Sequence, residues 1–147
     1  MSARPPHAPT KLELLELLAA IGTAQWRDFT ATAARHGLTA TQAKVLAQLG
    51  SGPLPMRGLA DRLVCDASNI TGIVDRLEDH GLVRREPSAT DRRVKNVVTT
   101  ERGHETILRV REEMQATHSA LDHLDDEERA TLHGLLDRLR PSMESPF

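Results

Sequence analysis

The residues from Ser68 to Arg76 have the types and spacing of a surface that reads nucleic acid. Taken as a helix from Asp66 to His80 at about 100° per residue, the chain puts Ile70, Ile73, Val74 and Leu77 on one face, which packs inward. Ser68, Gly72, Asp75, Arg76 and Asp79 then lie opposite, with Asn69 and Thr71 on the flanks. Small hydrogen-bonding groups near a helix N-terminus, beside a glycine that permits close approach, suit contact with base edges and phosphates in a major groove. Arg76 adds a cation roughly one turn further on. A second constellation follows at Asp91-Arg92-Arg93, with Lys95 just beyond. At a hairpin tip its guanidinium groups can enter a narrow minor groove or straddle phosphates. An Asp two residues before an Arg can also hold it in an extended pose. Either set alone reads as ordinary solvated charge, with Asp66 as a helix N-cap; joined, they read as a binding surface for double-stranded DNA.

The elements that must position these groups follow from periodicity and punctuation. Lys11 to roughly His36 carries Leu12, Leu15, Leu18, Ile21 and Phe29, with further leucines at 14 and 17, and predicts a long helix ended near Gly37. A helix that apolar in a short chain has more surface to cover than its own domain offers, which points to a homodimer. Thr39 and Gln42 form a capping box opening a helix with Ala43, Val45, Leu46 and Leu49 inward, stopped at Gly50-Ser-Gly-Pro53. Met56 to Leu63 is a short amphipathic helix. After a brief break at Val64-Cys65-Asp66 comes the helix described above, closed by Gly81. Two helices so closely joined are a helix–turn–helix candidate.

Beyond Gly81 the texture becomes β-prone. Leu82 to Glu86 and Val94 to Thr99 flank a polar, turn-rich Pro87 to Arg93, which predicts a hairpin with a long loop, a wing. Thr100 then caps a helix through Ile107, Val110 and Met114 to about Asp122. A capping box at Asp125-Asp-Glu-Glu128 opens a last helix with Leu132, Leu135, Leu136 and Leu139, ended by Pro141. The fold class is mainly α with a small β-hairpin wing: a winged helix–turn–helix with N- and C-terminal dimerisation helices. Residues 1–10 read as a flexible tail, 11–37 and 101–147 as a helical dimerisation region, and 38–100 as the winged region of one intertwined domain.

Composition bounds the alternatives. The 147 residues suit one domain, and aromatics at 2% leave a core of Leu, Val, Ile, Ala and Met, which fits helix packing. No apolar run approaches the length of a membrane span, and the Pro-rich start lacks the apolar region of a secretory signal, so the expected compartment is the cytoplasm. The net charge of −2 hides a segregation. Residues 82–98 hold five basic and two acidic side chains, whereas 112–128 hold seven acidic side chains and no Lys or Arg. An anion-binding module joined to a non-binding one has that pattern.

At these residues the chain resembles the MarR family (multiple antibiotic resistance regulators). The resemblance is carried by Leu59-Ala-Asp-Arg-Leu63, Cys65 to Glu78, Gly81-Leu-Val-Arg-Arg85, Asp91-Arg-Arg93 and Thr100-Glu-Arg-Gly103, with Leu38 to Gln42 and Val45-Leu46 matching the family's second helix. It implies a homodimer with interlocking terminal helices and two winged lobes on a pseudo-palindromic site. Ser68, Asn69, Thr71 and Arg76 would face the major groove, and Arg93, steadied by Asp91, would enter the minor groove. Asn96, in the returning strand, departs from the apolar residue more usual there. The resemblance also implies a ligand- or stress-responsive repressor, released from DNA by a small phenolic or other organic effector or by cysteine oxidation.

The sensor is less legible. Cys65 is the single thiol and sits before the recognition helix, without a resolving partner in the chain; a small turn residue is the simpler reading. The seven histidines form no obvious cluster of i, i+4 pairs with a nearby Cys or carboxylate, so neither metal nor cofactor is expected. Trp26 and His36 are candidates to line an effector pocket; Trp26 serves equally as a large core or interface side chain. Two rivals stand beside DNA regulation. A protein-binding winged helix would lose the wing arginines and the polar helix start, and an enzyme would need a phosphate loop, nucleophile elbow or ligand motif that the chain does not offer.

Overall fold

The computed structural model of the chain describes residues 8–63 and 67–144, with residues 67–68 and 141–144 described in backbone only. The elements run α1 (Lys11–Arg35), α2 (Ala40–Leu49), β1 (Leu54–Pro55), α3 (Met56–Leu63), α4 (Ala67–Asp79), β2 (Val83–Pro87), β3 (Lys95–Thr99), α5 (Glu101–Glu112), α6 (Gln115–Leu121) and α7 (Asp126–Glu144). They form two compact units, divided between Met114 and Gln115.

In the first unit α1 starts on Thr10, grouped with the tail on sequence grounds. Its hydroxyl accepts the Glu13 N–H at 3.2 Å, while the Glu13 carboxylate accepts the Thr10 N–H at 2.7 Å. Those bonds to Thr10 hold the Glu13 carboxyl below the usual carboxylate range. Only the C-terminal part of α1 reaches the core, through Phe29, Thr32 and Ala33. The Thr39–Gln42 capping box closes as expected, and Ala43, Val45, Leu46 and Leu49 are buried beneath it. Ile70, Ile73, Val74 and Leu77 of α4 complete the core with Leu59, Leu63 and Val97. Full burial of each such aliphatic side chain stabilises the fold by about 1.5–3 kcal/mol.

The sheet is larger than a hairpin. β3 is central in the order β1-β3-β2, and all pairs are antiparallel. The two-residue β1 pairs Leu54 with Val97 and Pro55 with Asn96. Proline is tolerated there because β1 is an edge. Asn96 sits opposite Glu86 on the other side, and the ladder runs through it unbroken.

Two expectations at the C-terminal end are corrected. The helix opened by Thr100 does not run to Asp122: α5 ends at Glu112, and α6 begins at Gln115. No Gly or Pro marks this break. Arg35 donates to the Glu113 carbonyl at 3.2 Å and His36 Nε2 lies 2.9 Å from the Glu113 carboxylate, so contacts from the end of α1 hold Glu113 as a cap. Pro141 does not end the last helix, since α7 continues to Glu144. A proline forfeits one N–H rung, yet its fixed φ is helical, and so near a terminus the loss is small.

In the second unit α6 and α7 are joined by a short turn. The expected capping box closes at Asp125, with its N–H on Glu128 Oε2 at 3.0 Å and its carboxylate on the Glu128 N–H at 2.8 Å. Leu132, Leu135, Leu136 and Leu139 lie along one side of α7, exposed. Among the described residues no helix is long and apolar enough to cross a membrane.

Candidate nucleic-acid interface

The two predicted constellations belong to the first unit. In α4 the inward set is buried, and Asn69, Thr71, Gly72, Asp75, Arg76 and Asp79 are all exposed. Ser68 lies in the helical backbone, its side chain outside the described set; Cys65 and Asp66, the expected turn thiol and N-cap, are outside the described residues altogether. A β-carbon added to Gly72 would meet nothing within 4 Å. No packing inside the lobe therefore requires a glycine there, although it costs an exposed helix about 0.5–1 kcal/mol relative to alanine.

The wing spans β2, the loop 88–94 and β3. The Ser88 N–H bonds the Val94 carbonyl at 2.8 Å and the Val94 N–H bonds the Asp91 carbonyl at 3.0 Å, closing the loop. Asp91 does steady its neighbour, but by the main chain: its carboxylate accepts the Arg93 backbone N–H at 3.0 Å. The side chain it leaves exposed is the Arg93 guanidinium.

The basic centre divides into neutralised and available charge. Arg84 pairs with Glu86 at 2.6 Å. Arg85 pairs with both Asp75, at 2.6 Å, and Glu78 of α4. Burial works against the Arg85 charge, but the hydrogen bonds to Asp75 and then Glu78 outweigh it and raise its pKa above the ordinary arginine value. The side chains of Arg76, Arg92, Arg93 and Lys95 are exposed and make no hydrogen bond or ion pair with the described residues. The same is true of Arg57 and Arg62 on α3, two cations that the reading of the sequence did not assign. The first helix of such a motif crosses the nucleic-acid backbone, and that general rule was the signal available for finding them.

Trp26 and His36 are not brought together. Trp26 stacks on Phe29, with ring centroids 5.6 Å apart, and Lys44 Nζ lies 5.6 Å from the Trp26 ring centre. His36 instead borders a cavity of about 240 Å³ with Gly37, Leu38, His80, Leu82, Arg102 and Thr106. α1 and α4 both end at this cavity, so their last carbonyls offset its basic side chains; Arg102 already donates to the His80 carbonyl at 3.1 Å. Among the described residues, no group of three His, Cys, Asp or Glu side chains is placed to hold a metal ion.

A helix pair followed by a small antiparallel sheet with a projecting, arginine-bearing loop defines a winged helix–turn–helix protein. The chain belongs to the MarR family. That family's profile matches residues 38–95. Over 127 residues, 84% of this chain and 76% of the relative, it is 34% identical to a protein assigned to transcriptional regulation of the hcr operon in Thauera aromatica. A MarR family protein from Bacillus stearothermophilus shares its fold with a TM-score of 0.79 at 26% identity, covering 94% of this chain and 100% of that one. A mutant MarR from E. coli complexed with operator DNA superposes with a TM-score of 0.61 at 27% identity, covering 86% and 92%.

Proposed function

We propose that this MarR-family chain is a sequence-specific DNA-binding transcriptional regulator, a ligand- or stress-responsive repressor that works in the cytoplasm as a homodimer on a pseudo-palindromic operator. Asn69, Thr71 and Arg76, together with Ser68, read the major groove beside the close approach that Gly72 permits. Arg92, Arg93 and Lys95 engage the adjacent minor groove and phosphates, Asp91 shaping the loop. Arg57 and Arg62 add phosphate contacts.

The observation that carries this reading is a wing whose Arg92, Arg93 and Lys95 side chains lack partners among the described residues, joined to an exposed hydrogen-bonding face of α4. A relative of the same fold is known in complex with operator DNA. The dimer is supported by the apolar side chains that the single chain leaves in water. Leu12, Leu15, Leu17 and Ile21 of α1 are each more than half exposed, and the α7 leucines are exposed as well. Apolar surface at that density marks an interface, which supports a dimerisation region of 11–37 and 101–147 flanking the winged 38–100 in sequence. A phenolic or other organic effector would meet Leu38 and Leu82 beside His36, His80, Arg102 and Thr106 in the cavity at His36.

The deciding experiment is fluorescence anisotropy of the purified protein on DNA from upstream of its own gene, across a salt series with nonspecific competitor. Tight, competitor-resistant binding with one dimer per site is the expected result. Equal, weak binding to both DNAs at every salt concentration would sink the sequence-specific reading for that site, and no binding even at low salt would favour a protein-binding winged helix.

A further inference from the structure

A winged lobe presents two readers at once, and their separation has to match the distance between neighbouring grooves. The sheet by itself does not set it. β2 is an edge strand, bonded on one side to β3 and open on the other. Its open side faces α4, and there Arg85 makes three connections. Arg85 Nη2 reaches Asp75 Oδ1 at 2.6 Å, and Nη1 reaches Glu78 Oε2. The other oxygen of Glu78 accepts the Arg85 backbone N–H at 3.1 Å. Asp75 and Glu78 are three residues apart on α4, so they lie on adjacent turns of one flank. A planar guanidinium can span both carboxylates, which an ammonium cannot.

The Arg85 side chain is 24% exposed, against 55% for Asp75 and 39% for Glu78, so water screens the Glu78 bond less than the Asp75 bond. The strap is also placed to matter. Asp75 immediately precedes Arg76 on the exposed side of α4, and Arg85 stands two residues before Pro87, where β2 passes into the wing loop.

On the DNA-binding reading, we propose that Arg85 is a positioning residue that straps the wing to the recognition helix and so sets where Arg92 and Arg93 meet DNA relative to α4. It touches no base or phosphate itself. The strap has a second effect, since it neutralises Asp75, a carboxylate that would otherwise repel phosphate beside Arg76. The two effects separate experimentally. Lost positioning makes the wing arginines ineffective, whereas an unmasked carboxylate weakens binding whatever the wing does.

The test is a double-mutant cycle of Arg85→Met with Arg93→Ala in the full chain, read by anisotropy on the upstream duplex, with circular dichroism melts to establish folding. Each single change should weaken binding about tenfold, and the double variant should be little weaker than either one. Arg85→Lys, which keeps the charge but can grip only one carboxylate, should recover part of the loss. Fully additive effects, or restoration of Arg85→Met by Asp75→Asn, would overturn the positioning role in favour of simple charge masking.

A second readout needs no DNA. Spin labels at Ala89→Cys and Asp79→Cys, in a Cys65→Ser chain, report the distance between wing and helix. Arg85→Met should broaden that distribution, and an unchanged one would overturn the strap. A wild-type protein that bound no DNA would bring down the DNA-binding reading and the groove-setting role with it, while the label distances would still show whether Arg85 fixes the wing.

Discussion

Gly103 lies so close to the main chain of Leu82 that a β-carbon placed on it would sit 1.9 Å from the Leu82 carbonyl oxygen. The contact belongs to a latch between the first turn of α5 and the turn that leaves α4. The Thr100 hydroxyl donates to the Gly81 carbonyl at 2.7 Å and accepts the Gly103 N–H at 3.1 Å, and the Thr100 N–H donates to Leu82 at 3.1 Å. Gly103→Ala cannot be absorbed by a rotamer change, because the obstacle is backbone. A loss of about 1–3 kcal/mol is expected from forced overpacking of this kind, read as a lower urea midpoint. An unchanged midpoint would mean that α5 slides freely on the turn.

Gly72 is the opposite case. With nothing within 4 Å of an added β-carbon and a helical backbone, Gly72→Ala should stabilise the fold by about 0.5–1 kcal/mol. The same methyl stands where α4 would meet the groove, so DNA affinity should fall as the melting temperature rises. A variant that gains stability and binds as well as wild type would remove Gly72 from the contact surface.

The wing supplies a contrast between neighbouring arginines. Arg93→Ala should lower the slope of log K against log salt by about one, since its guanidinium has no partner among the described residues. Arg84→Ala should leave the slope nearly unchanged, because Glu86 already holds Arg84 at 2.6 Å. Equal slopes for the two variants would show that charge count, not availability, governs binding.

Association can be tested apart from DNA. Ile21→Glu on α1 or Leu135→Glu on α7 replaces an exposed apolar side chain and should not unfold its own helix. Each should shift sedimentation from dimer to monomer with secondary structure retained. Dimers of undiminished strength in both variants would place the interface elsewhere.

How much was legible in the chain depends on how local the cause was. The α4 face, the Thr39 and Asp125 capping boxes and the hairpin rest on residues within a turn or two of one another, and their patterns were readable. β1 was not: two residues carry no periodicity, and Leu54-Pro55 is a strand only because Asn96 and Val97 pair with it. The break after α5 depends on Arg35 and His36, 78 and 77 residues away. The pairing of Arg85 was hidden for the same reason, whereas Arg84 meets Glu86 only two residues on. Nothing near Arg84, Arg85, Arg92 and Arg93 in sequence says that α4 will lend two carboxylates to one of them. Trp26 in α1 and His36 at its C-cap, ten positions apart, were joined by residue type alone, and the fold gives them different neighbours.

The neutralised arginines bear on how such a protein would search a chromosome. A chain of net charge −2 feels little pull from DNA beyond a Debye length of about 8 Å at physiological ionic strength. Within that distance the winged lobe offers Arg57, Arg62, Arg76, Arg92, Arg93 and Lys95, whose side chains have no partner among the described residues. On the DNA-binding reading each of them that meets a phosphate releases about one counterion, so affinity for a random sequence falls steeply as salt rises. The pull on DNA would then be short in range and sensitive to salt, and discrimination between sequences would fall to the α4 face.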